Sequence, residues 1–179
     1  MILTLDSSTL TLVINPGARP PNDPATGEPL ILAKERVEGL IAGLGASDRL
    51  IIPTPVLAEV LVGAGEGAPE IMNLLQTLAR IQIVPFDTRA AVELAVMTRE
   101  AEVHGSKKGE SVEPWQKVKF DRQIIAIAKV AASDSIFSDD GKLCKFAHSV
   151  GLMTQSSWEL APPKENPGLF DSLNKEEGS

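Results

Sequence analysis

Residues 117–141 constrain the fold of this 179-residue chain more than any other stretch. Apolar side chains such as Phe120 and Ile124 recur there at the three- and four-residue spacing of an amphipathic helix, and Asp121 lies beside their face. A short apolar run follows and ends in a turn that contains Asp140. We predict a helix that leads into a strand with acids at its carboxyl end, which is where open α/β sheets place their chemistry.

Two other strand-like runs also lead to acids. Residues 1–5 are apolar and end at Asp6, and residues 50–52 precede a predicted helix that carries Glu59. The carboxyl ends of parallel strands lie at one edge of a sheet, so these acids are expected to meet there. Carboxylates repel one another, whereas a hard divalent cation draws them together as oxygen ligands. The expected cluster consists of Asp6, Glu59, Asp121 and Asp140.

Four motifs, in order, resemble those of the PIN domain family and most of all the single-domain VapC-type toxins. They read LDSS at 5–8, TPVLAEVL at 54–61, DRQIIAIA at 121–128 and SDD at 138–140. Helix-period segments also alternate with short β-type runs, which favours α/β structure independently. We therefore predict a PIN-like, three-layer α/β fold, with a short, mostly parallel sheet flanked by helices.

The resemblance implies a metal-dependent endoribonuclease. Its four acids would be catalytic, with Asp6, Asp121 and Asp140 as ligands of Mg²⁺ or Mn²⁺, and Glu59 would ligate through water or orient the nucleophile. The hydroxyls of Ser138 and Ser8 are candidates for hydrogen bonds to a ligand water. The fourth motif usually reads Thr-x-Asp, and its tandem acids here leave Asp139 open as an alternative to Asp140.

The resemblance also implies an RNA substrate, a cognate antitoxin and a homodimer. A second reading is a PIN-like module that binds RNA or protein without turnover. A haloacid-dehalogenase-like phosphatase needs an aspartate where Ser8 stands, and a response-regulator receiver needs paired acids earlier than this chain starts. A DNA flap nuclease is a weaker alternative, because such enzymes usually carry helical clamps that a chain this short lacks.

Two loops are expected near the site. The proline-rich residues 15–29 form a predicted surface insertion at its mouth. Residues 104–115 precede the Asp121 helix, and Trp115 there is a candidate for stacking on a base. Ordinary solvated charges and a core-edge tryptophan are the competing interpretation. The basic candidates for contact with RNA phosphates are Lys107, Lys108 and Arg122, together with Lys117 and Lys119.

The remaining acids and hydroxyls at helix starts are predicted to be caps. Ser7 or Ser8 would cap the first helix and Thr54 a later one. Asp87 would cap the long helix that follows the third strand rather than join the site. Cys144 is expected in the core, and His148 has no partner at zinc-ligand spacing.

Composition sets outer limits on this interpretation. The net charge of −7 argues against broad electrostatic adhesion to nucleic acid, although it does not exclude a nuclease. No apolar run reaches 18 residues, so no membrane span is expected. The lone cysteine fits a reducing cytoplasm. We predict one nuclease domain over 1–160 and a disordered tail over 161–179.

Overall fold

The computed structural model describes residues 1–15, 17–108 and 111–163. Its sheet has five strands in the order β3-β2-β1-β4-β5, and every neighbouring pair is parallel. The strands are β1 (Ile2–Leu5), β2 (Arg49–Pro53), β3 (Ile81–Val84), β4 (Ser135–Phe137) and β5 (Met153–Gln155). The order reverses at β1, so the carboxyl ends of β1 and β4 flank the crevice where such sheets bind ligands.

Helices connect the strands and flank the sheet, which confirms the predicted three-layer α/β fold. They are α1 (Ser7–Ile14), α2 (Ala33–Ala42), α3 (Thr54–Ala64), α4 (Ala68–Thr77), α5 (Thr88–Val103), α6 (Trp115–Val130) and α7 (Gly141–Ser149). Short 3-10 turns lie at Gly65–Gly67 and Ser157–Glu159. Within the described ranges, no helix is both long and apolar enough to cross a membrane.

The core lies on both faces of the central strands. Leu3 and Leu5 of β1 and Ile52 of β2 are almost fully buried, as expected of strands covered on both sides. The five consecutive residues 124–128 of α6 are also buried, including the two alanines that allow close packing. The helix that carries Asp121 is therefore fixed in the core, and its carboxylate has a rigid support.

The helix caps differ in part from those predicted. The Asp6 side chain, and not that of Ser7 or Ser8, caps α1 by accepting a hydrogen bond from the amide of Thr9. Thr54 is the first residue of α3, and its hydroxyl accepts from the amide of Phe86 instead. The cap at Asp87 is confirmed: its side chain accepts from the Ala90 amide at the start of α5.

Helix α6 begins two residues earlier than its apolar pattern indicated. Pro114 precedes it, so the helix starts at Trp115, and Asp121 lies in its second turn rather than its first. Residues 15–29 contain no helix or strand where they are described, and one isolated bridge joins Asn22 to Pro29. Most of the predicted tail, residues 164–179, lies outside the described part of the chain.

Candidate metal centre

Asp6 follows directly after β1 and is 4 % exposed. Its carboxylate accepts hydrogen bonds from the hydroxyls of Ser8 and Ser138 and from the amide of Thr9. Burial raises the pKa of Asp6 despite these hydrogen bonds, which act in the opposite direction. Asp6 is therefore held in one orientation by three donors at the switch point of the sheet.

Asp121 is half-buried on α6, and its carboxylate has no hydrogen-bond donor among the described residues. Burial, followed by the negative charge of Asp140, raises the pKa of Asp121 to about 7. Asp6 and Glu59 also act to raise it, while Lys117 acts to lower it. The negative charge of Asp121 is thus poorly compensated, because the favourable effect of Lys117 is smaller than the combined effect of burial and three nearby acids.

Asp140 follows β4 and caps α7. Its Oδ1 atom accepts from the amides of Lys142 at 2.8 Å and Leu143 at 3.3 Å, and its Oδ2 atom lies 2.8 Å from Nζ of Lys117. Burial acts to raise the pKa of Asp140, but the hydrogen bonds from Lys117 and the two amides outweigh it and lower the pKa. The pKa of Asp140 is thus shifted in the opposite direction from those of Asp6 and Asp121.

The neighbouring acid, Asp139, is held elsewhere. Its carboxylate accepts from the amide of Ser157 at 2.7 Å and from the hydroxyl of the same residue at 2.8 Å. Burial raises the pKa of Asp139, against these two hydrogen bonds. The contacts give Asp139 a structural role against the last 3-10 turn, and they favour Asp140 as the fourth acid of the site.

The four predicted acids line one cavity of about 390 Å³. Glu59 reaches it from α3 and is exposed, whereas Asp6 lies at its base. The complete lining consists of Asp6, Ser7, Ser8, Glu59, Lys117, Phe120, Asp121, Ile124, Asp140 and Leu143. Carboxylates from four separate segments of the chain therefore share one polar space beside the carboxyl ends of β1 and β4.

As they stand, the acids are not drawn together around a common point. No three acidic, histidine or cysteine side chains of the described residues are arranged to hold a metal ion. Like charges keep these carboxylates apart, and Asp140 pairs with Lys117 instead. The donor set itself fits a hard divalent cation: every candidate ligand is a carboxylate oxygen, and Asp121 has no hydrogen bond to lose.

Ser138 and Ser8 contact the acids directly. The fully buried Ser138 hydroxyl donates to Oδ2 of Asp6 and accepts from the amide of Asp140 at 3.1 Å. The Ser8 hydroxyl lies 3.0 and 2.9 Å from the two Asp6 oxygens. The structure gives both serines a direct contact with the carboxylate of Asp6, and their hydrogen bonds to a ligand water stay a prediction.

The structure corrects the expectation that Arg122 contacts RNA. Arg122 is 1 % exposed, and its Nη1 atom donates to the carbonyl of Lys107 and the hydroxyl of Thr98. Its guanidinium lies over the rings of Phe146 and Trp115, at 4.3 and 5.7 Å from their centroids. A side chain enclosed in this way holds the loop before α6 in place and is not accessible to RNA.

The two loop lysines also have partners within the chain. Nζ of Lys108 donates to the carbonyl of Glu113 at 3.0 Å. The ammonium of Lys107 lies 4.9 Å from the ring centroid of Trp115, which is half-buried. These contacts supply a structural role for both lysines and for Trp115. Contact of the lysines with RNA therefore rests on the sequence alone.

Sequence reasoning missed the role of Lys117, which it treated only as one of several basic residues near the site. The structure places its ammonium in the acidic cavity, paired with Asp140. One signal was available, because Lys117 lies four residues before Asp121 and so on the same face of α6. No comparable sequence pattern indicated that Lys117 would pair with Asp140, the residue that caps α7.

With the fold and these acids in place, comparison with known proteins identifies the class. The family model described as PIN domain matches residues 32–149, about two thirds of the chain. The chain belongs to the PIN domain family, as its four motifs predicted. None of the curated proteins matches the sequence.

Similar solved structures include toxin–antitoxin complexes of the VapBC kind. VapBC-1 from nontypeable Haemophilus influenzae aligns with a TM-score of 0.60 at 15 % identity, covering 89 % of this chain and 99 % of that one. FitAB bound to a DNA fragment aligns at 0.59 and 19 % identity, covering 90 % and 98 %. VapC20 of Mycobacterium tuberculosis, a toxin that cleaves the Sarcin-Ricin loop, aligns at 0.53 and 13 % identity, covering 84 % and 96 %. At these identities the likeness establishes a shared fold.

Proposed function

We propose that this protein is a divalent-metal-dependent endoribonuclease and the toxin of a toxin–antitoxin pair. The observation that carries the proposal is the shared cavity of Asp6, Glu59, Asp121 and Asp140 at the carboxyl ends of the strands. Membership of the PIN domain family supports it: the family match over residues 32–149 includes Glu59, Asp121 and Asp140, and Asp6 stands in the first of the four motifs that resemble the family's. The poorly balanced charge of Asp121 supports cation binding in particular.

Asp6, Asp121 and Asp140 would hold Mg²⁺ or Mn²⁺. A bound ion of this kind supplies an activated water and neutralises the charge that develops on the phosphoryl oxygens. Asp6 is fixed for this task by its donors Ser8 and Ser138. Glu59, which is exposed at the rim of the cavity, is placed to orient the attacking water or to bind a water ligand. Leu143 and Ile124 form the apolar part of the wall.

The partners follow from the same proposal. VapBC-1 and FitAB are complexes, and the FitAB structure includes DNA. By analogy, we propose that this chain is neutralised by a cognate antitoxin, forms a homodimer and acts on RNA in the cytoplasm. Size-exclusion chromatography with light scattering tests the dimer directly: a mass near 38 kDa supports it, and a mass near the 19.1 kDa of one chain contradicts it.

A second candidate function is that of a PIN-like module that binds RNA or protein without turnover. One observation favours it: none of the described acids are arranged in a group of three that could hold an ion, and Lys117 occupies one carboxylate. Against it, all four motif acids are present and line a single cavity. The two candidates differ in whether a divalent ion binds and whether RNA is cut.

The test is calorimetric titration of Mn²⁺ into the metal-free protein, followed by incubation with total RNA in Mn²⁺ or EDTA. The nuclease proposal predicts Mn²⁺ binding and cleavage that EDTA abolishes. Binding of RNA without cleavage, in protein that takes up no Mn²⁺, would favour the module. Asp87→Asn is a suitable control variant, since Asp87 caps α5 and lies outside the acidic cavity.

A further inference from the structure

Lys117 stands between two cavities. It lines the acidic cavity with Asp6 and Asp121, and it also lines an adjoining, more open cavity of about 620 Å³. Among the described residues that line the acidic cavity, it is the only one with a positive charge. Its Nζ atom is 2.8 Å from Oδ2 of Asp140, the acid that lines both cavities. The ammonium therefore lies beside the carboxylate oxygen with which Asp140 would have to bind a metal ion.

The position of this ammonium can change while the backbone stays fixed. Lys117 lies in the first turn of α6, and its side chain is 41 % exposed. A lysine carries its charge at the end of a flexible four-carbon stem, so Nζ can move several ångströms without any movement of the helix. Asp140, by contrast, is fixed through its Oδ1 atom, which caps α7. If the pair separates, Lys117 is the partner that moves.

The adjoining cavity suits a second anionic partner. It is lined by Ser8, Pro21, Lys117, Asp139, Asp140, Gly141 and Lys142. Its two lysines face two aspartates, so a phosphate would find an excess of positive charge here only when an ion holds Asp140. Lys142 is drawn toward the loop before α6 by an ion pair with Glu113. Pro21 belongs to the proline-rich residues 15–29, so this insertion forms part of the wall. A nucleic-acid strand leaving the acidic cavity would pass through this space and bring its phosphates to the lysines.

We propose that Lys117 exchanges partners: it neutralises Asp140 in the metal-free protein, and it binds an RNA phosphate in the adjoining cavity once a divalent ion takes Asp140. This inference rests on the proposed nuclease function and adds a substrate-binding residue to it. The exchange keeps Asp140 beside a positive charge at either stage. It also makes Lys117 a competitor of the metal ion for Asp140. This competition can be measured as Mn²⁺ affinity, without a cleavage assay.

Mn²⁺ binding provides the first readout, by calorimetry on metal-free protein. Lys117→Met removes a positive charge beside the acids, so its Mn²⁺ affinity is expected to exceed that of the wild type by about fivefold. Lys129→Met is the matched control: Lys129 also pairs with a carboxylate, that of Glu93, lies on the same helix and lines neither cavity. Its Mn²⁺ affinity should equal that of the wild type. Circular dichroism checks that both variants are folded.

RNA binding provides the second readout. Fluorescence anisotropy with a 2′-O-methyl RNA octamer in Mn²⁺ is measured at several salt concentrations. Lys117→Met should bind more weakly, with a slope of log affinity against log salt that is smaller by about 1, as for the loss of one phosphate contact. Lys117→Arg, which keeps the charge, should restore the wild-type slope. Lys129→Met should leave it unchanged.

The outcomes separate this inference from the function on which it rests. Wild-type protein that neither binds Mn²⁺ nor cuts RNA defeats the proposed function and the exchange together. If the wild type binds Mn²⁺ and cuts RNA, the exchange alone is overturned when Lys117→Met binds Mn²⁺ no more tightly than Lys129→Met. It is likewise overturned when the salt slope of RNA binding is the same in both variants.

Discussion

The Ser138 hydroxyl donates a hydrogen bond of 2.5 Å to Oδ2 of Asp6. The same hydroxyl accepts a hydrogen bond from the amide of Asp140, so one fully buried oxygen connects the acid that ends β1 to the acid that begins α7. These acids lie 134 positions apart in the sequence, and their relative placement depends on the pairing of β1 with β4. Ser138 thus links the carboxylate of Asp6 to the backbone amide of Asp140.

Ser138→Ala should lower both stability and metal affinity. Asp6 loses a donor in a site that water barely reaches, so the free energy of unfolding at pH 7 should fall by about 1–3 kcal/mol. The Asp6 side chain also loses its fixed orientation, which should weaken Mn²⁺ binding. Urea unfolding and calorimetry measure the two effects.

Ser138→Thr is the control for that loss, because it keeps the hydroxyl and adds only a methyl group. It should retain most of the Mn²⁺ affinity, with a small cost from crowding in the core. Equal Mn²⁺ affinity in the wild type and Ser138→Ala would show that the hydrogen bond does not organise the site.

The pKa of about 7 for Asp121 predicts how stability varies with pH in EDTA. Above pH 3.8 the unfolded chain has released this proton, while the folded protein retains it up to about pH 7. The folded state then binds more protons, so raising the pH lowers the free energy of unfolding. Allowing for the partial exposure of Asp121, we expect it to cost the wild type about 1 kcal/mol between pH 5 and 8.

Asp121→Asn should remove this contribution. At pH 8 in EDTA the variant is expected to be more stable than the wild type by about 1 kcal/mol, and the difference should shrink as the pH falls towards 5. Mn²⁺ should stabilise the wild type more than the variant, because a ligand that binds only the folded state stabilises it by mass action. If Asp121 is instead an ordinary helix residue with no strain to relieve, the variant would be no more stable than the wild type at any pH.

The tandem acids at 139–140 provide a matched pair of variants. Asp140→Asn keeps an N-cap residue at the start of α7, so its stability should change little while Mn²⁺ affinity falls at least tenfold. Asp139→Asn should leave Mn²⁺ affinity intact. It should destabilise the fold by about 1 kcal/mol, because an amide cannot accept both hydrogen bonds from Ser157 equally well. The reverse pattern would assign the fourth ligand to Asp139.

The loop lysines should behave differently from Lys117. Lys108 bonds to the carbonyl of Glu113 and Lys107 packs over Trp115, so changing both to alanine should lower stability by about 1 kcal/mol. The salt dependence of RNA binding should stay the same, since both ammonium groups have partners within the chain. A slope smaller by about 2 in the double variant would restore the RNA contacts suggested by the sequence.

The strands and the positions of the acids were predictable because both depend on short-range patterns. Apolar runs of three to five residues mark buried parallel strands, and the residue after such a run must lie at the edge of the sheet. Asp6 follows that rule directly, whereas Asp140 lies three residues after the end of β4. Asp121 follows from the helical spacing of its apolar neighbours, although Pro114 starts the helix earlier than that spacing shows.

The contacts between charged side chains were not predictable in the same way. Arg122 has the polarity of a surface residue, and its burial depends on the rings of Trp115 and Phe146 and on the loop carbonyl of Lys107. The pairing of Lys117 with Asp140 joins two helices whose relative placement is set by the whole sheet. Such contacts are decided by tertiary packing, for which hydropathy and spacing carry no signal.

The most direct test of the metal site is the Mn²⁺ dependence of RNA cleavage by the wild-type protein. Cleavage should be absent in EDTA and should rise and saturate over the Mn²⁺ range in which calorimetry shows binding. Asp121→Asn, although folded and at least as stable as the wild type in EDTA at pH 8, should not cut RNA at any Mn²⁺ concentration. Cleavage by the wild type in EDTA, or equal cleavage by the Asp121→Asn variant, would contradict the assignment of these acids as a metal-dependent nuclease site.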